Sequence, residues 1–245
     1  MKKLIASLSL VLIVSLCFGQ ATTKVTKDSL AFREKYEVLK SNPKIKQGKY
    51  SLSVISSDKI LTTGYYKNNL KDGKWHEYNS QGYTVVEGTY RNGKKVGEWG
   101  YYGKMWELVN KYNFDTHKLI YHKGVKADST TFYKAIRGKD TIDVIMDRPP
   151  IYLSGTEVML RNLMYNLRYP AKALAAKAYG KVIIVFTIDE HGHTRDFKVA
   201  QGLGYGLDEE ALRLVSAIPE DWVPGILDGK AVPVIVQLPV NFKVQ

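Results

Sequence analysis

The sequence predicts two unlike parts: an all-β hairpin repeat in the first half and a small sheet with helices on one face at the C-terminus. Two observations carry this. Gly64, Tyr66, Gly73, Trp75 and Tyr78 recur 24 positions later as Gly88, Tyr90, Gly97, Trp99 and Tyr102. A fixed period of this size marks a repeat architecture. From Tyr169 onward, helical and alternating apolar patterns succeed one another. The last of these alternates without a break through Val232, Val234, Val236, Leu238, Val240 and Phe242. That is the period of a half-buried strand.

The N-terminus bears on the compartment. Lys2 and Lys3 precede an apolar run, Leu4 to Leu16, and Cys17-Phe18-Gly19 puts small residues where a signal peptidase needs them. This predicts a secretory signal peptide over 1–19 and a periplasmic mature chain. Cleavage after Gly19 removes the only cysteine, so the mature chain forms no disulfide. Two alternatives stand: Cys17 as a lipid acceptor, and an uncleaved segment anchoring the chain in the inner membrane. Residues 20–46 read as a polar lead-in, with a marginal helix from Ser29 to Leu39.

The net charge of +12 is unevenly placed. From Asp147 to the end there are 11 basic and 11 acidic residues, so the whole excess lies in residues 1–146. A basic half suits an anionic membrane surface, or simply a solvated lysine-rich surface. The charges are scattered rather than clustered, and nucleic acid is not an expected partner.

Each repeat unit reads as a β-hairpin. A strand such as Thr63 to Lys67 enters a turn rich in Asn, Asp and Gly and returns through Trp75 to Tyr78. Glycine is expected to leave room for the neighbouring backbone, and Tyr and Trp to stack between hairpins. A degenerate third unit falls on Trp106 to Lys123, and Gly48-Lys49-Tyr50 marks an earlier half-unit. With Gly88-Thr-Tyr90-Arg-Asn-Gly93-Lys-Lys-Val-Gly97-Glu-Trp99, residues 47–125 resemble MORN repeats. Some members of that family act as scaffolds or bind lipid. Residues 126–147 are expected to be a linker with two β-prone pieces, and Asp147-Arg148-Pro149-Pro150 marks a boundary.

In the C-terminal part, Thr156 is the expected cap of a helix with Val158, Leu160, Leu163, Met164 and Leu167 on its apolar face. Pro170 opens a second helix, which stops near Gly180. Val182, Ile184, Phe186 and Ile188 share one face of a strand that turns at Glu190-His191-Gly192-His193. Asp208 is the expected cap of another helix. Pro233 and Pro239 lack the N–H a ladder needs, so the final strand, Ala231 to Val244, should be an edge strand over part of its length. Exposed edges recruit other strands.

Six segments together resemble the C-terminal domain of TonB-family energy transducers: Tyr169-Pro170-Ala171, Gly180 to Phe186, Leu207-Asp208-Glu209-Glu210-Ala211-Leu212, Trp222-Val223-Pro224-Gly225, Gly229 to Val234, and Leu238 to Phe242. The resemblance covers about residues 148–245. It implies an α+β domain with a three-stranded antiparallel sheet and two main helices. It also implies binding of an extended segment of an outer-membrane receptor along the last strand, at Val236, Gln237, Leu238, Pro239, Val240 and Asn241. The long linker and permanent anchor of such transducers are not evident here; MORN-like hairpins stand in their place.

The chain contains no G-x-S-x-G or H-E-x-x-H motif. His191-Gly192-His193 lacks a third ligand set, and the glycines at 202, 204 and 206 lack the lysine of a phosphate loop. No nucleophile has an evident base. The expectation is a non-enzymatic protein-binding module with no cofactor, no metal and no small-molecule substrate. Its expected partner is an outer-membrane receptor or another envelope protein, in connection with energy-coupled transport. The alternative is an envelope scaffold whose basic repeats bind an anionic surface or a protein.

Overall fold

Nine strands, each antiparallel to the one before, build the first half as a single meander. They are β1 (Thr22–Ser29), β2 (Phe32–Leu39), β3 (Lys46–Val54), β4 (Ile60–Lys67), β5 (Leu70–Tyr78), β6 (Thr84–Arg91), β7 (Lys94–Tyr102), β8 (Leu108–Asn113) and β9 (Lys118–His122). The computed structural model describes residues 20–29, 31–103, 106–124, 130–219 and 221–243. The expected signal peptide, residues 1–19, lies outside the described residues.

The helix expected from Ser29 to Leu39 is absent: that stretch ends β1 and forms β2. A short isolated helix has a costly nucleus and little propagation. Pairing β2 with β3 instead sets Tyr36 opposite Tyr50, and Phe32 and Tyr36 pack on the cluster around Tyr50. Tertiary packing therefore decides over local periodicity.

The hairpins turn as their sequence predicts. Asn68-Asn69 joins β4 to β5, and Asn92-Gly93 joins β6 to β7. Both residues of each pair have positive φ, the type I′ geometry that matches strand twist. Along one face the aromatics contact one another edge-on: Tyr66 on Trp75, Trp75 on Tyr90, Tyr90 on Trp99, Trp99 on Phe114, with centroids 5.0–5.8 Å apart.

The recurring spacing of glycine and tryptophan has a specific cause. A Cβ on Gly64 would lie 2.2 Å from the Trp75 indole, and one on Gly88 would lie 2.1 Å from the Trp99 indole. The glycine thus makes room for a ring of the next strand, rather than for backbone as expected. A register shift falls at each of these places, between Thr63 and Tyr65 and between Glu87 and Thr89.

The C-terminal part contains β10 (Tyr133–Arg137), β11 (Asp140–Val144), β12 (Ile151–Tyr152), α1 (Gly155–Asn166), α2 (Ala171–Ala175), β13 (Gly180–Ile188), β14 (Thr194–Gln201), α3 (Leu207–Ser216), β15 (Trp222–Val223), β16 (Gly225–Leu227), β17 (Lys230–Val232) and β18 (Val234–Phe242). Its main sheet has the order β11-β10-β18-β13-β14. This corrects the three-stranded expectation: the segment taken as a linker supplies two further strands, and the described helices number three. The expected final strand is divided at Pro233, because β17 pairs with β16 while β18 joins the main sheet.

Helix α1 starts after Ser154, not at Thr156, and neither residue bonds the helix end through its side chain. Asp208 also sits inside α3 rather than capping it. Its carboxylate accepts from the N–H groups of Leu203 and Gly204 at 2.7 and 3.1 Å, closing the glycine-rich loop ahead of the helix. The core of this part lies between α3 and the sheet. Leu207, Ala211, Leu214 and Val215 meet Val182, Ile184, Phe186, Leu238, Val240 and Phe242.

The two parts are joined through shared apolar clusters. Leu153, Val158 and Val223 pack on Val85, Val86, Trp99 and Tyr101. Tyr165 of α1 packs edge-on against Phe32 at 5.3 Å. Among the described residues, two ion pairs cross the joint: Arg161 with Glu77 at 2.6 Å, and Lys95 with Asp221.

Candidate protein-docking edge

Strand β18 pairs with β13 over its whole length, from Val234 opposite Ile188 to Phe242 opposite Gly180. On its other side β10 reaches only Val234 and Ile235. Ile136 N–H donates to the Pro233 carbonyl at 2.9 Å, continuing that short ladder by one bond. From Val236 to Phe242, β18 has no strand partner on this side among the described residues.

Antiparallel backbone groups alternate between the two sides of a strand. The bond at Pro233 fixes the phase, so residues 235, 237, 239 and 241 direct their N–H and C=O away from β13. The open stretch therefore offers a donor and an acceptor at Gln237, an acceptor alone at Pro239, and a donor and an acceptor at Asn241. Pro239 stands where its missing N–H costs no bond to β13, which is how a central strand tolerates it.

The side chains divide in the same way. Leu238 and Val240 are buried in the core, and Val236 packs against it. Gln237, Pro239 and Asn241 are exposed and stand opposite Val185, Ile183 and Lys181 of β13. Of the six residues expected to form the site, three thus turn their side chains to the core and three expose theirs on the opposite face of the sheet.

Neighbouring motifs fix this strand. Tyr169 Oη donates to the Ala178 carbonyl at 2.6 Å, and its ring meets Phe242 edge-on at 5.9 Å. Glu210, buried in α3, accepts from the Arg168 N–H at 2.7 Å and from Arg213 at 2.7 and 2.8 Å. Tyr169 thus packs on the end of β18, while Glu210 ties α3 to the segment that follows α1. The His191 turn is closed by Asp189, whose Oδ1 accepts from the N–H groups of His191 and His193, each at 2.9 Å. A Cβ on Gly192 would lie 2.3 Å from the Trp222 carbonyl oxygen, so this turn packs directly on the Trp222-Pro224 corner.

Sequence reasoning missed that the β10–β11 hairpin covers the start of the edge. The signal was present: two β-prone pieces flank Arg137-Gly138-Lys139-Asp140, a turn-forming run.

No curated protein matches the chain. Among solved structures, the solution structure of the TonB C-terminal domain of Helicobacter pylori is similar over 36% of this chain and 79% of its own, at 22% identity and a TM-score of 0.27. A crystal structure of a TarM mutant from S. aureus, in complex with Fondaparinux, α-GlcNAc-glycerol and UDP, is similar over 40% of this chain and 20% of its own, at 10% identity and a TM-score of 0.24. The family model described as Gram-negative bacterial TonB protein C-terminal matches residues 165–244, which run from the end of α1 through β18. The nine-stranded sheet and the β10–β11 hairpin lie outside that match, and residues 165–244 are similar to a TonB-type C-terminal domain.

Proposed function

We propose that this protein is a periplasmic, non-enzymatic module of the cell envelope. Its TonB-type domain recognises an extended segment of an outer-membrane transporter or another envelope protein by strand pairing along Val236 to Asn241, in connection with energy-coupled transport. The observation that carries this reading is the open side of β18 beyond Ile235. A strand laid there gains main-chain hydrogen bonds, and exposed Gln237, Pro239 and Asn241 read its side chains. No described helix is long and apolar enough to cross a membrane.

The test is backbone-directed. Gln237→Pro and Asn241→Pro each delete one outward N–H without touching the ladder to β13. A photo-crosslinker at Pro239 reports the partner in the envelope. The expected result is loss of the crosslinked partner in both proline variants and its retention in Gln237→Ala. Retention in both proline variants would refute strand pairing. If the partner is instead lost only when lysines of the nine-stranded sheet are neutralised, the scaffold reading replaces it.

A further inference from the structure

The outer face of the nine-stranded sheet, turned away from the row of stacked aromatics, carries its charge unevenly. Residues that face each other in a ladder share one face of the sheet. Thr26, Lys35, Ser51, Thr63 and His76 follow one another in this way from β1 to β5. A second row beside it holds Lys24 opposite Glu37, Lys49 opposite Tyr65, and Lys74, two residues before His76. Between the rows runs a trough of about 510 Å³. Its floor is the backbone at Tyr36, Tyr50 and Gly64, where the tyrosine rings turn to the core and the glycine seats an indole there.

Lys24, Lys35, Lys49 and Lys74 are all exposed, and among the described residues none has a carboxylate within ion-pair distance. Glu37, the carboxylate in the trough wall, turns back to accept the Lys49 N–H at 3.2 Å. Asp28, further along β1, is held by Arg33 at 2.9 Å. Beyond β5 the same face is different: Lys111 is paired with Glu98 at 2.6 Å, and Glu87 lies 3.8 Å from His76. Unmatched positive charge is thus confined to the strip from Lys24 to Lys74, four strand spacings or roughly 19 Å. Charges spread over that length do not converge on one phosphate or one carboxylate. They suit a chain that carries negative charge along it.

We propose that this trough binds a linear acidic polysaccharide laid across β1 to β5, with its acid groups towards the four lysines, its hydroxyls on Thr26 and Ser51, and a sugar ring against the half-exposed Tyr65. The floor favours a sugar chain over a peptide. Strands β2, β3 and β4 are paired on both sides, so their N–H and C=O groups are engaged and leave a peptide backbone without partners. Sugar hydroxyls both donate and accept, as do those of Thr26 and Ser51. A bilayer surface would meet the lysine tips without reaching the floor. The proposal concerns the sheet alone and is independent of strand pairing at β18.

The test is calorimetric titration of the full chain with polygalacturonate. Its methyl ester, the same chain without charge, is the neutral counterpart; polyglutamate and phosphatidylglycerol-containing vesicles are the rivals. The expected result is saturable binding of polygalacturonate that weakens with added salt and is absent for the methyl ester. Replacing Lys35, Lys49 and Lys74 together by glutamine should weaken it roughly thirtyfold, about threefold for each exposed charge pair. Ser51→Ile fills the trough and removes a hydroxyl while keeping every lysine, and should weaken binding about threefold or more. Replacing Lys118, Lys172 and Lys198 by glutamine changes the net charge equally, away from the trough, and should leave affinity within about twofold of the parent. Gln237→Pro should leave it unchanged, which separates this result from the fate of strand pairing. The proposal is overturned if polygalacturonate does not saturate, if its methyl ester binds equally, if the two triple variants weaken it alike, if Ser51→Ile has no effect, or if polyglutamate or the vesicles bind more tightly.

Discussion

Replacing Gly88 by alanine tests the physical basis of the repeat. The added methyl would sit 2.1 Å from Cδ2 of Trp99, whereas carbon atoms in contact settle near 3.5–4.0 Å, so something must move by roughly 1.5 Å. The indole has little room to do so. Tyr90 contacts it edge-on at 5.0 Å and Phe114 at 5.8 Å, and its Nε1 donates to the Val96 carbonyl at 3.2 Å. Gly88→Ala is therefore expected to cost about 2–3 kcal/mol, the upper part of the usual overpacking range. Gly124→Ala, where a Cβ meets nothing within 4 Å, serves as the control and should fall within ~0.5 kcal/mol of the parent. The assay is urea unfolding followed by tryptophan fluorescence and far-UV circular dichroism, with equal m-values required. A double-mutant cycle with Trp99→Leu isolates the cause. If the clash is with the ring, the pair should cost less than the sum of the singles by about 1 kcal/mol or more. Additive costs would refute the account of glycine as the seat of the indole.

Two further outcomes follow from the joint and from the tyrosines. Arg161→Met leaves Glu77, whose side chain is 26% exposed, without its guanidinium and frees the Tyr78 carbonyl that Arg161 bonds at 2.7 Å. The expected loss is about 2–3 kcal/mol by urea unfolding, and an unchanged midpoint would show that the pair contributes nothing to the joint. Alkaline titration is the second. Burial, and then the carboxylate of Glu34 for Tyr66 and Glu87 for Tyr102, push both hydroxyls up to about 12. A folded-state value above the unfolded value of ~10 gives stability that is present below pH ~10 and lost as pH rises towards 12. Stability should fall over that window in step with the phenolate absorbance at 295 nm. Full phenolate ionisation below pH 10 in the folded protein would contradict the burial of these rings.

The repeat was legible because its logic is local. Asn92-Gly93 specifies a turn, and alternating aromatics specify a buried face. The core of the TonB-type part was legible for the same reason, since Val182 to Ile188 and Val234 to Phe242 carry a period of two. What remained hidden depends on partners distant in the chain. Phe32 to Leu39 satisfies a helical pattern about as well as a strand pattern, and only pairing with β3 decides between them. Tyr133 to Val144 was visible as β-prone, but nothing within it states that its partner is Val234, about a hundred residues later. At the candidate site, the prolines announced an edge; which stretch of that edge is open was set by this hairpin. The pairing of Lys95 with Asp221 was also beyond reach, because neither residue stands in a motif that involves the other.

The short ladder between β10 and β18 has a consequence for any strand that adds beside it. Such a strand cannot slide past Ile235, since the hairpin already fills that position. It finds a track from Val236 to Phe242, roughly 20 Å of backbone, closed at its Ile235 end. Halfway along, Pro239 offers a carbonyl but no amide, so the facing residue keeps a carbonyl that must find water or a side chain. The hairpin thus works as a doorstop and the proline as a notch. Together they give a uniform backbone edge a start, a length and a mark along it, and so a way to hold an incoming segment in a single register.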